Sequence, residues 1–99
     1  MISIIVEDKT IVIDNVGITA LDDRVKALVA PDVRAIQFHE GRGIGHIEFS
    51  YEYGDERRGN QRITASDINI PAIKALHATL IAEEEARRLE AEAEKDNGI

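Results

Sequence analysis

Cysteine and tryptophan are absent from this sequence of 99 residues, and aromatic residues make up only 4% of it. Without cysteine the chain has no disulfide framework, no zinc ribbon and no thiolate nucleophile. No apolar run approaches the roughly 20 residues that span a bilayer, and the opening MISIIVEDK lacks the basic start and the length of a signal peptide. We therefore expect a soluble protein made in the cytoplasm, with a core of Ile, Val and Leu.

Basic residues are also in short supply. The net charge is −7, from 19 acidic and 12 basic side chains. A chain of this sign repels the phosphates of nucleic acids, so we expect no nucleic-acid partner. With 43% hydrophobic residues, the length suits one domain with one modest core.

The N-terminal segment predicts a β-hairpin. The runs ISIIV and TIVID are rich in β-branched residues and are separated by Glu7-Asp8-Lys9. The turn signal Asn15-Val16-Gly17 follows the second run. Two short paired strands are the simplest interpretation.

The next segment, TALDDRVKALVA, predicts a short helix. Its apolar residues recur at spacings that place them on one helical face. Thr19 can cap the start of this helix, and Pro31 cannot continue it. The residues on the apolar face are Leu21, Val25, Leu28 and Val29.

From Val33 onward the apolar period changes to two. In VRAIQFH, Ile36 and Phe38 share one face, and Arg34 and Glu40 continue that row. HIEFSYEY alternates more cleanly, which is typical of an antiparallel sheet covered on one side. QRIT is a candidate fifth strand. The apolar positions of HIEFSYEY are Ile47, Phe49, Tyr51 and Tyr53.

The last third of the chain predicts one long helix. It begins between Asp67 and Pro71, because Asp67 or Asn69 can cap it and proline is tolerated in a first turn. It ends near Asp96, where Asn97-Gly98 supplies a stop. Its first half carries an apolar stripe fit to cover the sheet. The stripe consists of Ile73, Leu76, Leu80 and Ile81.

The second half of this helix has a weaker, heptad-like pattern of mostly alanine, too short to hold a coiled coil alone. The pairs Glu83–Arg87 and Glu84–Arg88 have the favourable order and contribute roughly 0.2 to 0.5 kcal/mol each. We expect residues 1–82 to form a compact domain and residues 83–99 a charged extension. The extension is either solvated or in contact with another copy or a partner. The pattern residues are Ala82, Ala86, Leu89 and Ala93.

The glycine-rich segment HEGRGIGH lies between two predicted strands. A phosphate-binding loop would follow a strand and open a helix, so we predict a hairpin bend whose glycines supply positive φ. His39 and His46 could face each other across this hairpin and bind a divalent metal. A structural site needs four ligands, and we expect neither a resident metal nor a cofactor. His77 is expected at the boundary of the helix stripe.

No hydroxyl in the chain has the surroundings of a nucleophile, because no Ser or Thr lies in a nucleophile elbow or at a triad spacing. We expect no enzyme. DERRGNQR concentrates arginine in an acidic protein, either as a solvated hairpin tip or as a loop that anchors an acidic neighbour. The candidate interaction residues are Arg57, Arg58 and Arg62 in this loop and Ala86, Leu89 and Ala93 in the extension.

Three segments together, VIDNVG, VRAIQFHEGRGIGHIEF and GNQRIT, resemble a family of small proteins encoded among the tail genes of bacteriophages and prophages. The sequence departs from that pattern at Phe38, where the family usually has tryptophan, at Asn15, and in a more helical segment from Leu21 to Ala30. The matching residues are Asp14 to Gly17, Ala35 to Phe38, Gly45 to Phe49, Asn60 and Ile63-Thr64.

The resemblance implies a role in the virion or in its assembly, with other phage tail or fibre proteins as partners and a homo-oligomer as a further option. Two alternatives follow: a minor structural component of the tail, or a tail or tail-fibre assembly chaperone that leaves the particle. A third class is a small metal- or ligand-binding domain that uses His39 and His46. The predicted fold class is α+β, a small antiparallel sheet of four to five strands with a short helix and a long C-terminal helix packed partly on one face.

Overall fold

A computed structural model of the chain describes residues 1–50 and 59–97. The predicted α+β class is confirmed: an antiparallel sheet is followed by one long helix, and the sheet has six strands where four to five were expected. Short 3₁₀ turns lie at Lys26–Leu28 and Ala65–Asp67. The elements are β1 (Ile2–Ile5), β2 (Thr10–Ile13), β3 (Val16–Thr19), β4 (Val33–His39), β5 (Ile44–Phe49), β6 (Gln61–Thr64) and α1 (Ile70–Asn97).

The strand order is β3-β2-β1-β4-β5-β6, and every neighbouring pair is antiparallel. Two three-stranded meanders, β1–β2–β3 and β4–β5–β6, join side by side through β1 and β4. Antiparallel neighbours need only short turns, whereas the connection from β3 to β4 must return from the edge to the centre. In the described part of the chain, β3 and β6 are the two edges of the sheet.

The predicted N-terminal hairpin is confirmed as β1 and β2, with Glu7-Asp8-Lys9 in the turn. The strand that follows, β3, was not predicted. Asp14 and Asn15 have φ of 48° and 68°, which is the conformation that a two-residue type I′ turn requires. The turn therefore lies at Asp14-Asn15, and Val16 and Gly17 belong to β3.

The prediction of a helix after β3 is wrong. Residues 20–32, called the linker below, contain only the 3₁₀ turn Lys26–Leu28. Thr19, the expected cap, is the last residue of β3, and its hydroxyl lies 2.7 Å from a threonine hydroxyl of β2. Asp22 accepts a hydrogen bond from the backbone N–H of Arg24 at 3.1 Å, a local bond that competes with helix formation. The linker residues that still pack into the core are Val25, Leu28 and Val29.

A β-bulge at Arg34 changes the predicted pattern of β4. The register shifts between Val33 and Ala35, so Val33 lies opposite Phe49 on the apolar face. Arg34 leaves the apolar row and forms an ion pair with Glu48 on the other face. The expectation that Arg34 continues the row of Ile36 and Phe38 is wrong, because a bulge inserts one extra residue and reverses the alternation.

The apolar face of the sheet runs from edge to edge. Ile18, Ile11, Ile4, Ile36 and Ile47 lie in register across five neighbouring strands. α1 and the linker cover this face, and their buried residues join the same core. Further buried residues of the sheet are Ile2, Phe38, Phe49 and Ile63.

α1 begins and ends as predicted, at Ile70 and Asn97. The side-chain oxygen of Asn69 accepts a hydrogen bond from the N–H of Ala72 at 3.1 Å, which satisfies a backbone donor in the first turn. Pro71 lies in that turn, where its missing N–H costs nothing. The residues that α1 buries against the sheet are Ile73, His77 and Leu80.

The glycine-rich segment forms the predicted hairpin. His39 pairs with Ile44, and Gly43 has φ of 64°. Gly45 has a different role, because a Cβ atom there would lie 2.1 Å from the carbonyl oxygen of Gln37 in the neighbouring strand. No larger residue fits at that position unless the two strands move apart.

Candidate interaction surface

α1 leaves the sheet part-way along its length. The Leu80 side chain is 3% exposed and Ile81 is half-buried. From Glu84 to Lys95 every described side chain is exposed, including Leu89 at 54%. From here on, the extension means residues 84–97, which begin one residue later than the predicted extension of residues 83–99. Its described side chains, 84–95, add none to the core.

An ion pair marks the point where α1 leaves the sheet. The guanidinium of Arg24, in the linker, donates hydrogen bonds to both carboxylate oxygens of Glu83 at 2.8 and 2.6 Å. Its Nε donates to Asp22 at 2.9 Å. These bonds hold the pKa of the Glu83 and Asp22 carboxyls below their usual values. The linker and α1 are thus joined beside the last turn of α1 that contacts the sheet.

This ion pair changes the pairing predicted within the helix. Glu83 pairs with Arg24 in place of Arg87, and Arg88 lies 3.2 Å from Glu85 in place of Glu84. A guanidinium that donates to both oxygens of one carboxylate forms a stronger contact than an exposed pair along a helix. The extension therefore has less stabilisation from its own side chains than the sequence indicated.

The candidate residues Ala86, Leu89 and Ala93 lie on one side of the extension. At 3.6 residues per turn, their steps of three and four keep them in line. The same spacing puts this line on the side of α1 roughly opposite to the one that faces the sheet. Glutamates border the line on both sides, which gives an exposed apolar stripe with acidic margins. The bordering residues are Glu85, Glu90 and Glu92.

The arginine loop is only partly described. Arg57 and Arg58 lie outside the described residues. Arg62 lies in β6, exposed and directly opposite His46 in β5. It forms no ion pair with any residue that the structure describes. Because its side chain is on the face of the sheet that α1 does not cover, Arg62 and the extension belong to two different surfaces.

That second surface, called the open face below, is the side of the sheet away from α1. It is mostly polar, and its clearest apolar side chain is Ile5, which is 41% exposed. Arg34 and Glu48 form an ion pair on it. One row of the open face crosses all six strands in register. The row consists of Gly17, Val12, Ser3, Gln37, His46 and Arg62.

The two hairpin histidines do not face each other, which corrects the expectation from the sequence. His39 pairs with Ile44, and His46 pairs with Gln37, so the two imidazoles are offset diagonally along the open face. The Nε2 atom of His46 lies 3.4 Å from Glu48. Within residues 1–50 and 59–97, no group of three His, Asp or Glu side chains is placed to hold a metal ion.

His77 is more important to the fold than its sequence neighbourhood indicated. It is buried on the sheet-facing side of α1, and its Nε2 donates a hydrogen bond to the carbonyl oxygen of Val16 at 2.7 Å. The signal was its spacing of four from Ile73 and three from Leu80, which places it in the buried stripe. His77 therefore attaches α1 to the edge strand β3.

Comparisons of the chain with protein-family models, with curated proteins and with solved structures found no match. Any functional assignment therefore depends on the residues and the geometry of this chain. In the described part of the chain, no helix has both the length and the apolar composition needed to cross a membrane.

Proposed function

We propose that this chain is a non-enzymatic structural protein of a bacteriophage, a minor tail component that docks on neighbouring tail or fibre proteins through α1 and its surface loops. The observation that carries the proposal is the extension, in which side chains 84–95 are all exposed. The motif resemblance supplies the phage context. The location that follows is the tail of the virion.

The energetics of the extension support a docking role. The packed first half of α1 nucleates the helix, but most helical stability in proteins comes from tertiary packing, and the described side chains of the extension have none. Covering Leu89 and the neighbouring alanines would stabilise the helix and remove apolar surface from water. A neighbouring protein in an assembled tail could provide that cover.

An assembly chaperone is the second candidate, and the charge of the extension favours it. Between Glu84 and Lys95 glutamate outnumbers arginine and lysine. Contacts between exposed charges are screened by salt and are weak individually. Such a surface suits a contact that forms during assembly and is later released.

Quantitative mass spectrometry of purified particles tests the proposal. Particles are prepared from a phage or prophage that encodes the chain, and the amount of chain is measured relative to the major tail protein in the lysate and in the particles. A tail component stays with the particles at a fixed ratio. A chaperone is present in the lysate and missing from the particles. Particles that form normally and infect after deletion of the gene would contradict both candidates.

A truncated variant separates docking from folding in the same experiment. A gene that ends after Glu83 keeps the Arg24 ion pair and removes the extension. We expect this shortened chain to accumulate in the lysate and to be lost from particles. Normal incorporation of the shortened chain would show that another surface docks it.

A further inference from the structure

The two faces of the sheet are covered unequally. α1 and the linker cover the Ile-rich face, whereas no element of residues 1–50 and 59–97 lies over the open face. Ile5 is 41% exposed there, and Val12 is half-buried. A sheet face with exposed apolar atoms is a surface that a second layer can cover.

The open face has the opposite charge to the extension. Its described strand positions carry two arginines and one carboxylate. Because Glu48 is paired with Arg34, the charge left over at these positions is that of Arg62. In the extension carboxylates outnumber arginine and lysine side chains. The open face carries Arg34 and Arg62 against Glu48, and the extension carries Glu84, Glu85, Glu90, Glu92 and Glu94 against Arg87, Arg88 and Lys95.

The two surfaces also match in size and relief. At about 1.5 Å per residue the extension is about 21 Å long, and six strands spaced about 4.8 Å apart are about 24 Å wide. Small residues such as Ser3 and Gly17 lie on the open face, and alanine lies on the stripe around Leu89. Small side chains at these positions let the helix lie close to β1 and β3, while the longer side chains of Gln37, His46 and Arg62 can contact it over β4 to β6.

Other arrangements of the same surfaces are disfavoured. Two extensions that packed against each other through Leu89 and its neighbouring alanines would bring the bordering glutamates of both copies close together. Like charges in close contact repel. The bordering glutamates are Glu85, Glu90 and Glu92. The extension cannot reach the open face of its own copy, because it continues α1, which the Arg24–Glu83 pair and His77 attach to the opposite face.

We propose that the extension of one copy docks across the open face of a second copy of this chain. The contact joins two different surfaces, so each copy retains one unused extension and one unused open face, and further copies add head to tail. This inference goes beyond the proposed virion role and does not require it, since it uses only two surfaces of the chain itself.

Sedimentation velocity of the full chain tests whether it assembles. At low salt, between about 10 µM and about 1 mM, a range suited to weak association, we expect the weight-average mass to rise with concentration. Raising the ionic strength should reverse this rise, because salt screens contacts between exposed charges. A monomer at every concentration and ionic strength would overturn the proposal.

Two variants with matched controls identify the surfaces. Arg62→Glu alters the open face and Leu89→Glu alters the extension, and each should weaken association by about tenfold or more. Arg42→Glu, in the β4–β5 turn, and Leu21→Glu, in the linker, are the controls and should assemble as the unmodified chain does. The far-UV circular dichroism and thermal midpoint of each variant verify its folding. Assembly that survives Arg62→Glu would overturn the proposal.

Mixing the two monomeric variants tests the head-to-tail geometry. The Arg62→Glu chain keeps a working extension and the Leu89→Glu chain keeps a working open face. Their equimolar mixture should form a complex of one copy of each that grows no further with concentration. A mixture that remains monomeric would exclude the head-to-tail contact and overturn the proposal.

Discussion

The first half of α1, residues 70–81, and the extension are continuous in backbone but differ in what their side chains contact. Ile73, His77 and Leu80 are buried against the sheet, and Asn69 caps the first turn. In the extension every described side chain from residue 84 to 95 is exposed. The comparison indicates that one helix serves two purposes: its first half completes the core, and its second half presents a surface.

Replacing one leucine in each half by alanine should change the free energy of unfolding by very different amounts. Leu80→Ala removes a buried side chain and should lower the free energy of unfolding by about 2 to 5 kcal/mol, a large fraction of the total for a small domain. Leu89→Ala, its matched control, should change it by less than about 0.5 kcal/mol. Urea unfolding followed by far-UV circular dichroism measures both. Equal effects would contradict the division of the helix.

Removing the N-terminal cap of α1 should have the next largest effect on the free energy of unfolding. Asn69→Ala removes the acceptor for the Ala72 N–H and should cost about 1 kcal/mol. Asn60→Ala is the matched control, because Asn60 is exposed and precedes β6. The same urea titration measures the free energy of unfolding of both variants. A loss of stability as large in Asn60→Ala would mean that the Asn69 effect is not a helix-capping effect.

The Arg24–Glu83 ion pair lies at the junction between the two halves of α1, and its contribution to the stability of the fold should depend on pH. Hydrogen bonds from Arg24 lower the pKa of Glu83 from its ordinary value of 4.5. A carboxylate with a lowered pKa stabilises the fold above that ordinary value and loses its contribution as the pH falls through the lowered one. At pH 7 Glu83→Gln should therefore melt below the unmodified chain, and the difference should close in acid.

Glu84→Gln is the control for the junction, because it removes an exposed carboxylate one residue further along the helix. It should leave the thermal midpoint close to that of the unmodified chain at every pH. The measurement is thermal unfolding by circular dichroism from about pH 7 to about pH 3, a range that includes the titration of glutamate. A difference for Glu83→Gln that persists unchanged at the acid end would contradict the ion-pair explanation.

The parts of the fold that could be predicted from the sequence are those with strong local signals. Alternation of apolar residues identified β4 and β5. The end of the predicted strand HIEFSYEY, with Tyr51 and Tyr53, lies outside the described residues. A cap, a proline and a 3.6-residue period identified α1 with its correct ends. The glycine-rich hairpin followed from its position between two strands. These signals depend on neighbours along the chain and need no tertiary information.

The errors have tertiary or turn-specific causes. The linker has a helical period because Val25, Leu28 and Val29 all point into the core, and an irregular segment can satisfy the same burial. β3 was missed because the turn lies at Asp14-Asn15, one position before the expected signal. The bulge at Arg34 depends on pairing with β5, which a single strand does not reveal.

The candidate interaction surface was predictable only in part. The stripe of Ala86, Leu89 and Ala93 follows from spacing alone, and the structure places it on the side of α1 away from the sheet. The partner of Glu83 was not predictable, because Arg24 is distant in sequence. The basic character of the open face also requires the register that brings Arg62 beside His46.

The central claim is that, in the described part of the chain, the buried side chains of the core and the Arg24–Glu83 ion pair all lie within residues 1–83, which leaves the extension available for contacts. Urea unfolding of a chain that ends after Glu83, compared with the full chain under dilute, monomeric conditions, tests this claim most directly. We expect one cooperative transition with a free energy of unfolding within about 0.5 kcal/mol of that of the full chain. A broadened transition, or a loss of several kcal/mol, would show that the extension is part of the core and would contradict the account.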